Sequence, residues 1–233
     1  MSQAMILQIE TSTQVCSVAL SADGMVVACR EVDAPNVHAT RLTGLISELM
    51  EEMELVYSDL AAIAVSKGPG SYTGLRIGVS TAKGLCYATD LPLIGIGTLD
   101  AMADGFSTLH TGRFDGQTWL CPMLDARRME VYRAIYDNLC RPLAETAAVI
   151  VDKHTFDDLP ADQQIVLFGN GADKLVPLFD GNAFVTIVPQ FRNSAAHLSR
   201  LAFDALREGR LENVAYFEPY YLKDFVTTTP KRR

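Results

Sequence analysis

The chain has no excess of positive charge, and that absence narrows its partners. Twenty Lys and Arg stand against 28 Asp and Glu, a formal net charge of −8. Phosphate contacts supply most of the affinity of a free-standing nucleic-acid binder, so such a protein is usually basic. An acidic chain that works on RNA therefore works through a partner. The only concentrated positive charge is the final Lys231-Arg232-Arg233, a short tail of the kind that stays solvated at a frayed terminus.

Metal-binding and nucleophile motifs are missing as well. The four histidines, His38, His110, His154 and His197, are scattered without HxxxH or HExxH, the spacings that place two imidazoles on one helix face. The five cysteines, Cys16, Cys29, Cys86, Cys121 and Cys140, are odd in number and form no CxxC. They read as buried free thiols of a reducing compartment, which predicts a cytoplasmic protein. Glu10 interrupts the first apolar run and no basic stretch precedes it, so no secretory signal is expected. No apolar run approaches the roughly 18 residues that would span a bilayer, and no membrane association is expected. The nucleophile elbow GxSxG is absent, because Gly70-Ser71 is followed by Tyr72-Thr73-Gly74.

What is present is an ordinary globular composition, 48% apolar and 21% charged, in a chain long enough for one large domain or two small lobes. Its most distinctive stretch is KGPGSYTGLRIGVSTAKGL, residues 67–85. An apolar run at 60–65 leads into it as a buried strand, Gly68-Pro69-Gly70-Ser71 turns, and Thr73 offers a helix N-cap. Leu75, Val79, Ala82 and Cys86 then recur at one helical face. Strand, glycine turn and helix could cradle a phosphate. The spacing matches neither GxxxxGK[ST] nor GxGxxG, and Gly74 and Gly78, one turn apart, serve equally to let another backbone approach.

The remaining pattern is made twice. Strands are expected at 5–9, 15–20 and 25–29, then a helix at 38–53 with Leu42, Leu45, Ile46, Leu49 and Met53 on one face. A strand at 93–96 and a short helix at 99–103 follow. The second half restarts with strands at 118–124, 129–136, 143–151 and 164–168. Helices at 172–179 and 194–206 complete it. A hairpin-led sheet with crossover helices, made twice, predicts two similar α/β lobes, each a mixed sheet flanked by helices. The expected lobes are 1–105 and 106–233, with the join at 106–117 and the C-terminal end packing back on the first lobe.

The glycine-helix segment, together with IETST at 9–13, LDARRMEVY at 124–132 and YLKDF at 221–225, resembles the TsaB (YeaZ) family, which takes part in making threonylcarbamoyladenosine in transfer RNA. The resemblance implies the two-lobed actin-like (ASKHA) fold of actin, sugar kinases and Hsp70 ATPase domains. In that superfamily the hairpin turns hold phosphates and an acidic residue ends the first strand of each lobe, places taken here by Glu10 and Asp125. Glu10, Thr11, Ser12, Asp125, Gly169 and Gly171 are thus the remnants expected of a nucleotide site. The first turn lacks glycine and the second carries Arg127 and Arg128, so no bound cofactor, no metal and no catalytic residue are expected. The resemblance further implies a scaffold that binds the transferase TsaD, with the ATPase TsaE joining and transfer RNA met only through the complex. It places that contact, and self-association, on the two N-lobe helices: Leu42, Leu45, Leu49, Gly74, Leu75, Gly78, Val79 and Ala82. The alternatives are an active ATP-dependent kinase or acyltransferase of the same superfamily and, less in keeping with the absent histidine pairs, a metallopeptidase.

Overall fold

The computed structural model describes residues 3–114, 116–160 and 162–223. The basic tail and the last two residues of the fourth segment lie outside them. Two five-stranded mixed sheets form the molecule. The first joins β1 (Met5–Glu10), β2 (Val15–Ala22), β3 (Met25–Asp33), β4 (Leu60–Gly68) and β5 (Leu93–Gly97) in the order β3-β2-β1-β4-β5. The second joins β6 (Thr118–Asp125), β7 (Glu130–Tyr136), β8 (Pro142–Ile150), β9 (Gln164–Phe168) and β10 (Val185–Val188) in the order β10-β9-β6-β7-β8. In each, three antiparallel strands lead and two parallel ones follow. The two plans match strand for strand. β10 has no counterpart in the sequence reading; four residues are too few to display a period.

Helices α1 (His38–Glu52) and α2 (Tyr72–Thr89) cover one face of the first sheet. α1 forms because Leu42, Leu45, Ile46, Leu49 and Met50 fall on one stripe, and all five are buried. In α2, Val79, Ala82 and Cys86 of the stripe meet the sheet, and Leu75 is buried alongside them. Full burial of a Leu or Val contributes about 1.5–3 kcal/mol each. The α2 N-cap is Ser71 rather than Thr73: its Oγ accepts the Gly74 N–H at 3.2 Å. The chain enters the helix two residues earlier than expected because the turn ends at Gly70.

The opposite face of the first sheet is covered from far along the chain. A 3-10 turn at Ala195–Leu198 and helix α5 (Ser199–Arg207) bring Leu198, Ala202 and Ala205 onto Ile6, Ala62, Ala64, Ile94 and Ile96. These are two elements instead of the single helix expected at 194–206. Helix α3 (Thr98–Leu109) is longer than the 99–103 expected and lies between the sheets. Ala101 faces the first, while Leu99, Met102, Ala103 and Phe106 pack with Leu120, Leu124, Tyr136 and Phe168 of the second. The join expected from residue 106 thus falls inside a helix that serves both sheets. The Tyr136 hydroxyl donates to Asp100 Oδ1 at 2.7 Å, and Asp104 pairs with Arg200 of α5. The helix expected at 172–179 is one turn, α4 (Asn170–Asp173), then a 3-10 turn at Val176–Leu178. Pro177 there has no N–H to continue an α-helix.

After α5 the chain runs back along the first lobe. Glu212 donates its N–H to the Leu93 carbonyl at 2.8 Å, and Tyr220 donates to the Lys67 carbonyl at 2.6 Å. Between them Phe217 enters the first core, and Lys83 Nζ donates to the Ala215 and Phe217 carbonyls at 3.3 and 2.9 Å.

Candidate functional site: the cleft between two hairpin turns

The first turn is closed. Glu10 ends β1 and is 1% exposed. Its Oε1 accepts the Ser12 N–H at 2.5 Å. Burial pushes its pKa up, and the bonds from Ser12 only partly oppose this. Thr11 is fully buried under α2. A Cβ on Gly74 would overlap the Thr11 carbonyl, and one on Gly78 would overlap Thr11 Oγ1. A Cβ on Gly70 would lie 2.5 Å from the Ser12 carbonyl. The three glycines therefore exist so that α2 can lie directly on the first turn, and the backbone that approaches them is the chain's own. Three of the donors around the helix start are taken too. Ser71 N–H bonds the Ser12 carbonyl at 2.6 Å, Leu75 N–H bonds the Ser71 carbonyl at 2.8 Å, and Gly74 N–H bonds the Ser71 hydroxyl. Asn193 Nδ2 donates to Ser12 Oγ at 3.1 Å from the far side.

The second turn is open and charged. Asp125 ends β6 at the surface. Its Oδ1 accepts the Arg127 N–H at 3.0 Å and Lys174 Nζ at 2.5 Å, and its N–H donates to Asn170 Oδ1 at 3.0 Å. Arg127 and Arg128 both adopt left-handed backbone, φ 73 and 50, where a glycine would sit without strain. Gly169, at φ 101, and Gly171 lie against β6. A Cβ on Gly169 would overlap the Met123 carbonyl, and one on Gly171 would sit 2.6 Å from Leu124 C. Packing and, at Gly169, backbone conformation thus require the glycine turn.

Between the two turns lies a cleft of about 780 Å³. Of the expected remnants, Ser12 and Asp125 reach its walls, from opposite lobes, whereas Glu10, Thr11, Gly169 and Gly171 do not line it. Asn170, between the two glycines, does. Sequence reasoning missed Lys174, Asn193 and the wall formed by Tyr220 and Tyr221, because long-range partners carry no local spacing signal. Among the described residues no three His, Cys, Asp or Glu side chains gather as a metal would need. No helix among them is long and apolar enough to cross a membrane.

The residues assigned to a partner need correcting. Leu42, Leu45, Leu49, Leu75, Val79 and Ala82 are each at most 3% exposed, all but Leu75 belong to the first core, and Gly74 and Gly78 face Thr11. Their periodicity marks the face that covers the chain's own sheet. The outward stripe of α2 is Thr73, Arg76, Ser80, Gly84 and Tyr87, with Tyr87 84% exposed. Ile77 and Leu85, the second apolar aspect, are partly buried against the same core.

A family model described as TsaD, tRNA N6-adenosine threonylcarbamoyltransferase, matches residues 32–224. The chain is 33% identical over 229 residues to the tRNA threonylcarbamoyladenosine biosynthesis protein TsaB of Escherichia coli K12, covering 95% of each. The solved structure of YeaZ from Pseudomonas aeruginosa aligns with a TM-score of 0.77 at 26% identity, covering 95% of this chain and 100% of that one. An activator of the 2-hydroxyisocaproyl-CoA dehydratase from Clostridium difficile, solved with bound ADPNP, aligns with a TM-score of 0.52 at 11% identity, over 89% of this chain and 97% of that one. The architecture is the actin-like fold, with two mixed sheets of five strands flanked by helices.

Proposed function

This chain belongs to the TsaB (YeaZ) family, and on that premise we propose that it serves the synthesis of threonylcarbamoyladenosine in transfer RNA as a subunit without chemistry of its own. It binds and activates TsaD, the transferase, and TsaE, an ATPase, joins the assembly in the cytoplasm. Transfer RNA is modified by the complex, and a homodimer uses the surface that TsaD uses. The observation that carries this reading is the closed first turn. A phosphate entering it would displace the Ser71 N–H from the Ser12 carbonyl and the Ser12 N–H from Glu10. A buried group left unpaired costs about 1–3 kcal/mol. Mg²⁺ keeps several waters and needs a carboxylate they can reach, and Glu10 is 1% exposed.

The partner surface belongs on the outward side of the N-lobe helices, with Tyr87 as its aromatic anchor, since such residues concentrate interface energy. Capture from native lysate, with nucleotide added or omitted, tests the reading together with turnover by the purified chain. TsaD should be retained in both conditions, Tyr87→Ala should weaken retention at unchanged melting temperature, and the chain alone should not hydrolyse ATP. Turnover by the chain alone that disappears on Glu10→Ala or Asp125→Ala would instead establish a kinase or acyltransferase.

A further inference from the structure

The cleft wall away from the first turn is aromatic and cationic. Tyr72, Tyr132, Tyr220 and Tyr221 line it beside Arg127. The Tyr72 and Tyr221 ring centroids are 4.7 Å apart at 32°, and the Arg76 guanidinium lies 5.5 Å from the Tyr72 centroid. Tyr220 and Tyr221 nevertheless remain 46% and 37% exposed, although backbone bonds fix the segment that carries them. The Arg127 side chain has no hydrogen-bond or ion-pair partner among the described residues, and neither has that of Arg128 beside it. Asp125 is the one carboxylate among the described lining residues, and Lys174 neutralises it.

This combination has one chemical reading. In an acidic chain, an unpaired arginine in strained backbone, Arg127, stands on the cleft wall, where glycine would have relieved the strain. Observed strain of this kind is a pointer to function. Exposed tyrosine faces beside free guanidinium groups suit planar bases joined by phosphates. A triphosphate would use the first turn, which is closed. A strand carries a phosphate between successive bases, and the cleft is roomy enough for more than one nucleotide. We propose that this cleft holds an unpaired stretch of RNA, with bases stacked on Tyr220 and Tyr221 and backbone phosphate on Arg127. The choice of RNA over other strands rests on the function proposed above. Binding by the isolated chain is weak. For a single strand the logarithm of affinity falls with the logarithm of salt at a slope of about −0.7 per phosphate neutralised, so the phosphate held by Arg127 contributes about −0.7.

Fluorescence anisotropy of a labelled oligoribonucleotide of roughly ten nucleotides with the full chain tests this, against the same strand annealed to its complement and with ATP as competitor. The single strand binds and the duplex does not. Tyr221→Ala and Tyr220→Ala each weaken binding about tenfold, with circular dichroism melts showing that the fold persists. Arg127→Ala makes the salt slope about 0.7 shallower, whereas Arg113→Ala, at an exposed site elsewhere, leaves it unchanged. Absence of binding, equal binding of duplex, equal loss on Arg113→Ala, or displacement by ATP at comparable affinity each overturns the proposal. TsaD capture is measured on the same protein. Capture without RNA binding sinks this inference alone, and RNA binding without capture supports it while sinking the scaffold reading.

Discussion

Glu10 and Asp125 each end the strand that leads into a hairpin turn, yet Glu10 is 1% exposed and Asp125 stands at a cleft with a lysine bonded to it. The sheets are not the source of the difference, because their strand plans match. The elements that follow β4 and β9 are. After β4 comes an 18-residue helix that lies on the first turn through Gly70, Gly74 and Gly78. After β9 comes a four-residue helix, which lies against β6 at Gly171. A long helix with small residues along its inner edge closes a site; one turn leaves the same place open. Position in a fold therefore does not tell whether a phosphate site persists. The neighbouring helix does.

The largest expected effect tests that closing helix. Leu75→Glu puts an unpaired charge at a fully buried position of α2, as Leu45→Glu does in the first core from α1. Breaking a core in this way costs several kcal/mol, so both proteins should melt far lower or fail to fold. A Leu75→Glu protein with an unchanged circular dichroism melt would mean that α2 does not seal the first lobe, and the contrast between the turns would collapse.

A smaller effect separates the carboxylates. Burial raises the pKa of Glu10 above that of the unfolded chain. The folded protein therefore keeps this proton over a pH range where the unfolded chain has lost it. The contribution of Glu10 to stability is full below the ordinary carboxylate range and is lost as pH rises through the raised value. Glu10→Gln should stabilise the protein at neutral pH and flatten the acid side of its stability profile. Urea titrations across pH measure this. A loss of stability at neutral pH would point to a cation held beside Glu10 and reopen the first turn as a metal-phosphate site. The smallest effect belongs to Asp125→Asn. An exposed ion pair contributes about 0–1 kcal/mol, so the melt should move little and lose its dependence on salt around that pair. A drop comparable to a core substitution would show the second turn to be as structural as the first.

Much of this was legible beforehand. Hairpins announced themselves through Asp23-Gly24 and the alternation of β2, and α1 and α2 through their apolar stripes. The spacing of Gly74 and Gly78 announced a close approach, but not of what. A stripe such as Leu75-Val79-Ala82 has the same period whether it meets its own sheet or another protein, which is why a partner was assigned to residues that are core. The open cleft was less visible still. Tyr220 and Tyr221 line it from far along the chain, Lys174 bonds Asp125 on its wall across tens of residues, and no local pattern encodes such a meeting.

The covering of the first sheet has a consequence for the chain while it is being made. Ile6, Ala62, Ala64, Ile94 and Ile96 have all been made about a hundred residues before Leu198, Ala202 and Ala205, which cover them. At roughly 5–20 residues per second, that apolar face waits about 5–20 s for its lid. A nascent chain of this design is a natural client for a chaperone that shields flat hydrophobic surface. A ribosome stalled midway, before α5 emerges, would leave an N-terminal lobe with one face dry and the other bare, fit for degradation rather than for use.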